Sequence, residues 1–101
     1  MIRVLYRWRV DKERRPEFAT WWHEGTLGIR ATRHGALGSV LLAPGDDDDH
    51  LVAVARWRSR QDLEAFWADP GGSSFDGATL DSVEVFDELD DLSVPDTGAG
   101  P

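Results

Sequence analysis

The chain lacks cysteine altogether, which excludes disulfides, thiolate nucleophiles and sulfur-ligated zinc. It also lacks any uninterrupted apolar run of the ~20 residues needed to span a bilayer, so no membrane partner is expected. Basic residues run out early: Arg60 is the last of the eleven, against nineteen acids and a net charge of −8. Such a balance repels phosphate backbones, and nucleic acid is not an expected partner. The opening stretch, Ile2 to Val10, carries arginines between its apolar residues. It is therefore expected to be a strand rather than the apolar region of a secretory leader, and the cytoplasm is the default location.

What is present is one domain's worth of apolar and charged residues, 41% and 30% of 101, with five Trp, four Phe and one Tyr. Charge is divided along the chain. Residues 1–60 sum to +3, whereas residues 61–101 hold eleven acids and no base, or −11. The two parts should attract each other, within one chain or between chains.

Ile2, Val4, Tyr6, Trp8 and Val10 alternate with Arg3, Leu5, Arg7 and Arg9, a period of two that predicts a strand. Pro16 and Glu17 suit the first turn of a helix. At 100° per residue Phe18, Trp21, Trp22, Gly25, Ile29 and Thr32 fall on one core-facing stripe. The helix is expected to end at His34-Gly35, with the glycine in a left-handed cap and the histidine at the negative end of the dipole. Strands are expected at Ser39 to Ala43, Leu51 to Arg58 and around Ser82 to Leu89. Ser59, with Asp62 three residues on, opens a second helix bearing Leu63, Phe66 and Trp67, and Pro70-Gly71-Gly72 stops it. Residues 93–101 have nothing to bury and are expected to form a mobile tail after a domain of residues 1–92.

The order is thus β-α-β-β-α-β, with Arg7-Trp8-Arg9 and Arg56-Trp57-Arg58 as a faint repeat. It predicts an α+β, ferredoxin-like fold: an antiparallel four-stranded sheet in the order 4-1-3-2 with both helices on one face. Trp8 and Trp57 should then share the helix-covered face and stand close together. Arg3, Arg7, Arg9, Arg56 and Arg58 should project from the other face.

The stretch Ala55-Arg-Trp-Arg-Ser-Arg-Gln-Asp-Leu-Glu-Ala-Phe-Trp-Ala-Asp-Pro70, with Phe18 and Trp22 on the first helix and Gly35-Ala-Leu-Gly38 before the second strand, resembles the antibiotic biosynthesis monooxygenase domain of the dimeric α+β barrel superfamily. The likeness covers about residues 2–89. It implies a homodimer with the two sheets face to face and a pocket in each subunit between its sheet and helices. Some members oxidise phenolic polyketides with molecular oxygen and no metal or flavin, one branch degrades haem, and fold alone does not decide between them. The polyketide-oxidising members tend to carry Asn four residues before the strand Trp, where this chain has Ala53. The haem degraders use a His after the second helix, and here none lies beyond His50. Trp57 is the motif residue carried over, and haem is set aside.

The expected function is a cofactor-independent monooxygenase acting on a small phenolic or quinol substrate, with neither cofactor nor metal. The alternative is a non-catalytic domain of the same fold that binds a small molecule or a protein. Trp8, Phe18, Trp21, Trp22, Phe66 and Trp67 are the candidate substrate-binding residues, although the same side chains could serve as plain core. Trp57, Tyr6 and His23 are the candidate catalytic residues. Tyr6 could donate a hydrogen bond to a phenolate, and His23 titrates near neutrality but stands about 140° around the helix from Phe18, off the apolar stripe. The acids Glu84, Asp87, Glu88, Asp90 and Asp91 are expected to meet a partner subunit's arginines across the sheet faces. Asp46 to His50 reads as a solvated turn rather than a cation site.

Overall fold

The computed structural model describes residues 1–45 and 49–94. Its elements are β1 (Ile2–Val10), a 3₁₀ turn at Lys12–Arg14, α1 (Arg15–Thr32), β2 (Ala36–Leu42), β3 (His50–Trp57), α2 (Arg60–Ala68) and β4 (Ala78–Asp87). The four strands form one antiparallel sheet in the order β2-β3-β1-β4, which is the ferredoxin-like arrangement expected from the sequence. Among the described residues no helix is long and apolar enough to cross a membrane. Asp46 to Asp48, within the expected polar turn, and residues 95–101 of the expected tail lie outside the described residues.

Alternation on β1 assigns the faces. Ile2, Val4 and Val10 are buried under the helices, as are Leu51, Ala53 and Trp57 of β3, while the arginines between them face away. Ser59 caps α2 as expected, its Oγ accepting from the Asp62 amide at 3.1 Å. At the end of α1 the expectation is corrected. The helix stops at Thr32, Arg33 is extended, and the His34 side chain is 88% exposed, 3.9 Å from an Asp62 carboxylate oxygen rather than on the helix end. Gly35 does take the left-handed conformation (φ 79°), and a Cβ there would collide with the Asp62 carboxylate. Two bulges displace the expected strand boundaries. One, between Ala36 and Ser39, lets β2 begin earlier; the other, at Asp81 opposite Arg7 and Trp8, lets β4 begin at Ala78.

The core is divided in two. Ile2, Val4, Trp57 and Leu63 form one cluster and Val10, Phe18 and Leu51 the other. The expectation that Trp8 and Trp57 stand together is therefore corrected. They share a face, but Ile2 pairs with Trp57 and Trp8 with Leu51, which sets their backbone positions six residues, or about 20 Å, apart along the strands.

The acids of the last segment also behave differently from the expectation of contacts between subunits. Glu88 and Asp91 fold back on their own chain. Arg56 meets Glu88 with two bonds (Nη2 to Oε1 2.7 Å, Nε to Oε2 3.0 Å), Arg3 Nε donates to the same carboxylate at 3.0 Å, and Asp91 lies 3.3 Å from Arg3 Nη2. At these residues the attraction between the two parts of the chain is met within the chain. The Arg56 guanidinium bonded to Glu88 holds that carboxyl below its ordinary range, and the Glu88 bond in turn raises Arg56. A group with a lowered folded-state pKa stabilises the fold above its unfolded value, and that contribution is lost as pH falls through the folded one. Glu88→Gln is accordingly expected to be less stable at neutral pH and to lose less further stability between pH ~5 and ~2 than the parent, as urea titrations at each pH would read. Parallel stability profiles for the two proteins would contradict the assignment.

Candidate active site

Between the two core clusters lies a cavity of about 740 Å³, bordered by the sheet, both helices and the 70–73 loop and open to solvent on one side. It exists because small residues meet in the middle of the layers while large ones occupy the ends. Ala53 and Ala55 of β3, Ala36 and Ser39 of β2 and Gly25 of α1 all line it. A Cβ built on Gly25 finds nothing within 4 Å. Glycine inside a helix costs ~1 kcal/mol relative to alanine, so α1 carries a poor helix former at the point where it leaves room.

Aromatic rings make the ends of the cavity. Tyr6 and Trp8, two apart on β1 and so on one face, stack with centroids 5.6 Å apart and planes 15° from parallel. Trp57 stacks on Phe66 of α2 at 5.2 Å. Trp21, Trp22 and Trp67 complete the aromatic lining. The 70–73 loop is tied to α1 and its end, because Trp21 Nε1 donates to Ser73 Oγ at 3.3 Å and Arg33 Nη2 donates to the Pro70 carbonyl at 3.0 Å.

The polar point among these rings is Tyr6. Its hydroxyl accepts a bond from Trp67 Nε1 at 3.2 Å. Accepting that bond leaves the phenol its own proton to donate. Burial pushes the Tyr6 pKa above its ordinary value, opposed by the Trp67 bond, which favours the phenolate. Tyr6 therefore stays protonated at neutral pH, as a donor must. Because it is the sole tyrosine, tyrosinate absorbance reports it directly. Its titration midpoint is expected above the free value of about 10 and higher still in Trp67→Phe. A midpoint at the free value, unmoved by the substitution, would contradict this geometry.

Seven of the nine candidate residues thus meet at one cavity: Tyr6, Trp8, Trp21, Trp22, Trp57, Phe66 and Trp67. Two do not. Phe18 is fully buried behind the wall, packed on Trp8, Trp21 and Phe75, so it supports the lining without touching the space. His23 is exposed and off the cavity, for the reason its place outside the apolar stripe gave, and it is not placed to act as base there. The expected fourth strand, starting near Ser82, leaves out Leu80, and nothing in the sequence marks Val83 or the 70–73 loop as cavity lining. Sequence reasoning also missed Arg30 and Ser39, which carry no motif. Among the described residues no group of three His, Asp or Glu side chains is placed to hold a metal ion.

A helix-covered antiparallel sheet with an aromatic cavity between the layers defines a small ferredoxin-like α+β domain with a ligand-sized chamber. The model of one family, antibiotic biosynthesis monooxygenase, matches residues 1–71, and the chain belongs to that family. Among solved structures, the haem degrader MhuD from Mycobacterium tuberculosis, with two haems in its active site, superposes with a TM-score of 0.77 at 20% identity, over 92% of this chain and all of that one. SnoaB, a cofactor-independent oxygenase from Streptomyces nogalater, gives 0.69 at 20% identity over 90% of this chain and 95% of that one. No curated protein matches the chain by sequence. Likeness at this identity establishes the shared fold.

Proposed function

We propose that the protein is a cofactor-independent monooxygenase that oxidises a planar phenolic substrate, bound in the cavity between sheet and helices, with molecular oxygen. The observation that carries this reading is the Tyr6 hydroxyl, held by Trp67 Nε1 among the aromatic rings of a largely apolar cavity whose charged lining residues are Glu24, Arg30 and Arg56.

In such a reaction the substrate supplies the electrons. Its activated ring CH₂ releases a proton to solvent, and the resulting phenolate-type anion reduces oxygen by one electron. The two radicals then combine at that carbon, which now bears one hydrogen, and the peroxide takes up a proton to give a hydroperoxide, which loses water to leave a carbonyl. One oxygen atom ends in the product and the other in water, so atoms and electrons balance without an external reductant. The chain's part is to hold the ring flat between aromatic faces, to keep water from the intermediate and to place the Tyr6 O–H where the anion's charge develops.

The residues fit haem poorly. Haem iron takes His, Cys, Met or Tyr ligands. His23, His34, His50 and Met1 are off the cavity, there is no Cys, and Tyr6 is held protonated. The haem degradation named for MhuD is therefore not carried over.

Homodimerisation through the open sheet face belongs to the same proposal. Val40, Leu42 and Phe86 are 46–48% exposed, and the strand registers place them on the face away from the helices with Leu5, Val52 and Val54, an apolar patch suited to a second copy.

The test is oxygen uptake in chelator-treated buffer with a panel of hydroquinones and anthrone-like phenols, alongside Gly25→Leu. The leucine fills the space above Ala53 and Ala55 and removes a helical glycine, so this variant is expected to be at least as heat-stable as the parent yet to lose uptake entirely. Tight binding of the panel without uptake would favour the non-catalytic alternative. Uptake retained in Gly25→Leu would place the chemistry elsewhere.

A further inference from the structure

Three charged residues line the cavity: Glu24, Arg30 and Arg56. Arg56 is neutralised by Glu88 on the far side of the sheet. Arg30 has no hydrogen-bond or ion-pair partner among the described residues. Its side chain lies across Gly38, a left-handed glycine (φ 98°), with Cδ and Nε 3.5 and 3.8 Å from where a Cβ would stand. The arginine stem thus bridges α1 and β2 at one edge of the chamber, using the space that a side chain at position 38 would narrow. Beside it, Ser39 lines the same edge with a buried Oγ that has no hydrogen-bond partner. Glu24 stands six residues earlier on the helix, about 9 Å along its axis, too far to pair with Arg30 directly.

From this we infer that Arg30 is a specificity-determining residue that selects a planar phenol bearing a carboxylate. The ring lies between the aromatic walls, the phenol end meets Tyr6, and the acidic end meets the guanidinium. This rests on the cavity being the substrate site and names the substrate class for it. The guanidinium offers a planar fork of donors that matches a carboxylate in two-point contact. The whole molecule cannot supply the same preference. Its net charge of −8 disfavours an approaching anion, so any selection for one has to be local. Arg7, Arg58 and Arg60 also lack partners among the described residues, but none of them lines the chamber.

The experiment compares two flat probes differing in one group, 2-naphthol and 6-hydroxy-2-naphthoate, by quenching of tryptophan fluorescence. The parent protein is expected to bind the acid at least tenfold more tightly than the naphthol. Arg30→Gln should bring the two affinities within about twofold while leaving the naphthol affinity and the thermal midpoint unchanged. Arg30→Lys should restore part of the preference, since charge survives and the fork does not. Raising salt from about 0.05 to 0.5 M should shrink the parent's preference and leave naphthol binding alone. Naphthol binding with no preference for the acid, or a preference that survives Arg30→Gln, would overturn the role of Arg30 and leave the cavity reading standing. If neither probe bound, the cavity reading would fall and this inference with it.

Discussion

Phe18→Ala is expected to lower the free energy of unfolding by ~3–5 kcal/mol, a large share of the ~5–15 kcal/mol available to a domain of about a hundred residues. Phe18 has no exposed surface. Its ring meets Trp8 and Phe75 edge to face, with centroids 5.3 and 5.4 Å away, and Trp21 at a tilt, also at 5.4 Å. Removing it leaves a void that the three surrounding rings, on β1, on α1 and in the loop before β4, are badly placed to fill. Phe18→Leu conserves most of the volume and should cost under ~1.5 kcal/mol. Urea unfolding with unchanged slope would read both values. A loss below ~1 kcal/mol for the alanine variant would mean that the cluster is not packed in solution, and the rigid aromatic wall it supports would go with it. Since Trp8 and Trp21 line the cavity, ligand affinity should fall along with stability in Phe18→Ala and survive in Phe18→Leu.

The second large effect falls on chemistry and spares the fold. Tyr6→Phe is expected to reduce turnover about 10²-fold or more, the usual consequence of deleting one donor aimed at developing negative charge. The thermal midpoint should move little, because the partner it strands, Trp67 Nε1, belongs to a residue 41% exposed and can turn to water. Trp67→Phe leaves the phenol in place but frees its acceptor side, so its donor direction is no longer fixed. A loss of about 3- to 10-fold follows from misorientation of one bond. The two substitutions act through one hydrogen-bonded unit, so the double variant should match Tyr6→Phe alone rather than the product of both losses. Multiplicative losses would mean that the two residues act separately. Unchanged turnover in Tyr6→Phe would remove Tyr6 from the mechanism.

Much of this architecture was legible in the residues. The arginines between Ile2 and Val10 assign the sheet faces by themselves, because a guanidinium cannot lie under a helix without a partner. Ser59 marks the start of α2 through a bond it does make. The middle of the cavity could be read too, in the alanines of β3 and the glycine of α1 that stand where a core would use larger residues.

What stayed illegible depends on register. Alternation places Trp8 and Trp57 on one face, but only the pairing of Ile2 with Trp57 decides their separation, and connection geometry sets that pairing. The bulge at Asp81 breaks the period-two signal at the start of β4, which hid Leu80 from the site. Glu88 looked available to a second subunit, yet β4 ends where its amide bonds the Met1 carbonyl at 3.0 Å. That contact brings the carboxylate onto Arg3 and Arg56 of its own chain. His23 drew attention through its chemistry alone, while its position on the helix already argued against it.

The most direct measurement is turnover of an anthrone-like phenol under isotopically labelled oxygen gas in metal-free buffer, with product and water both analysed. The expected result is one labelled atom in the new carbonyl and the other in water, at a rate that collapses in Tyr6→Phe. Label entering the ketone no faster than it does without the protein would contradict an oxygenase built around this chamber.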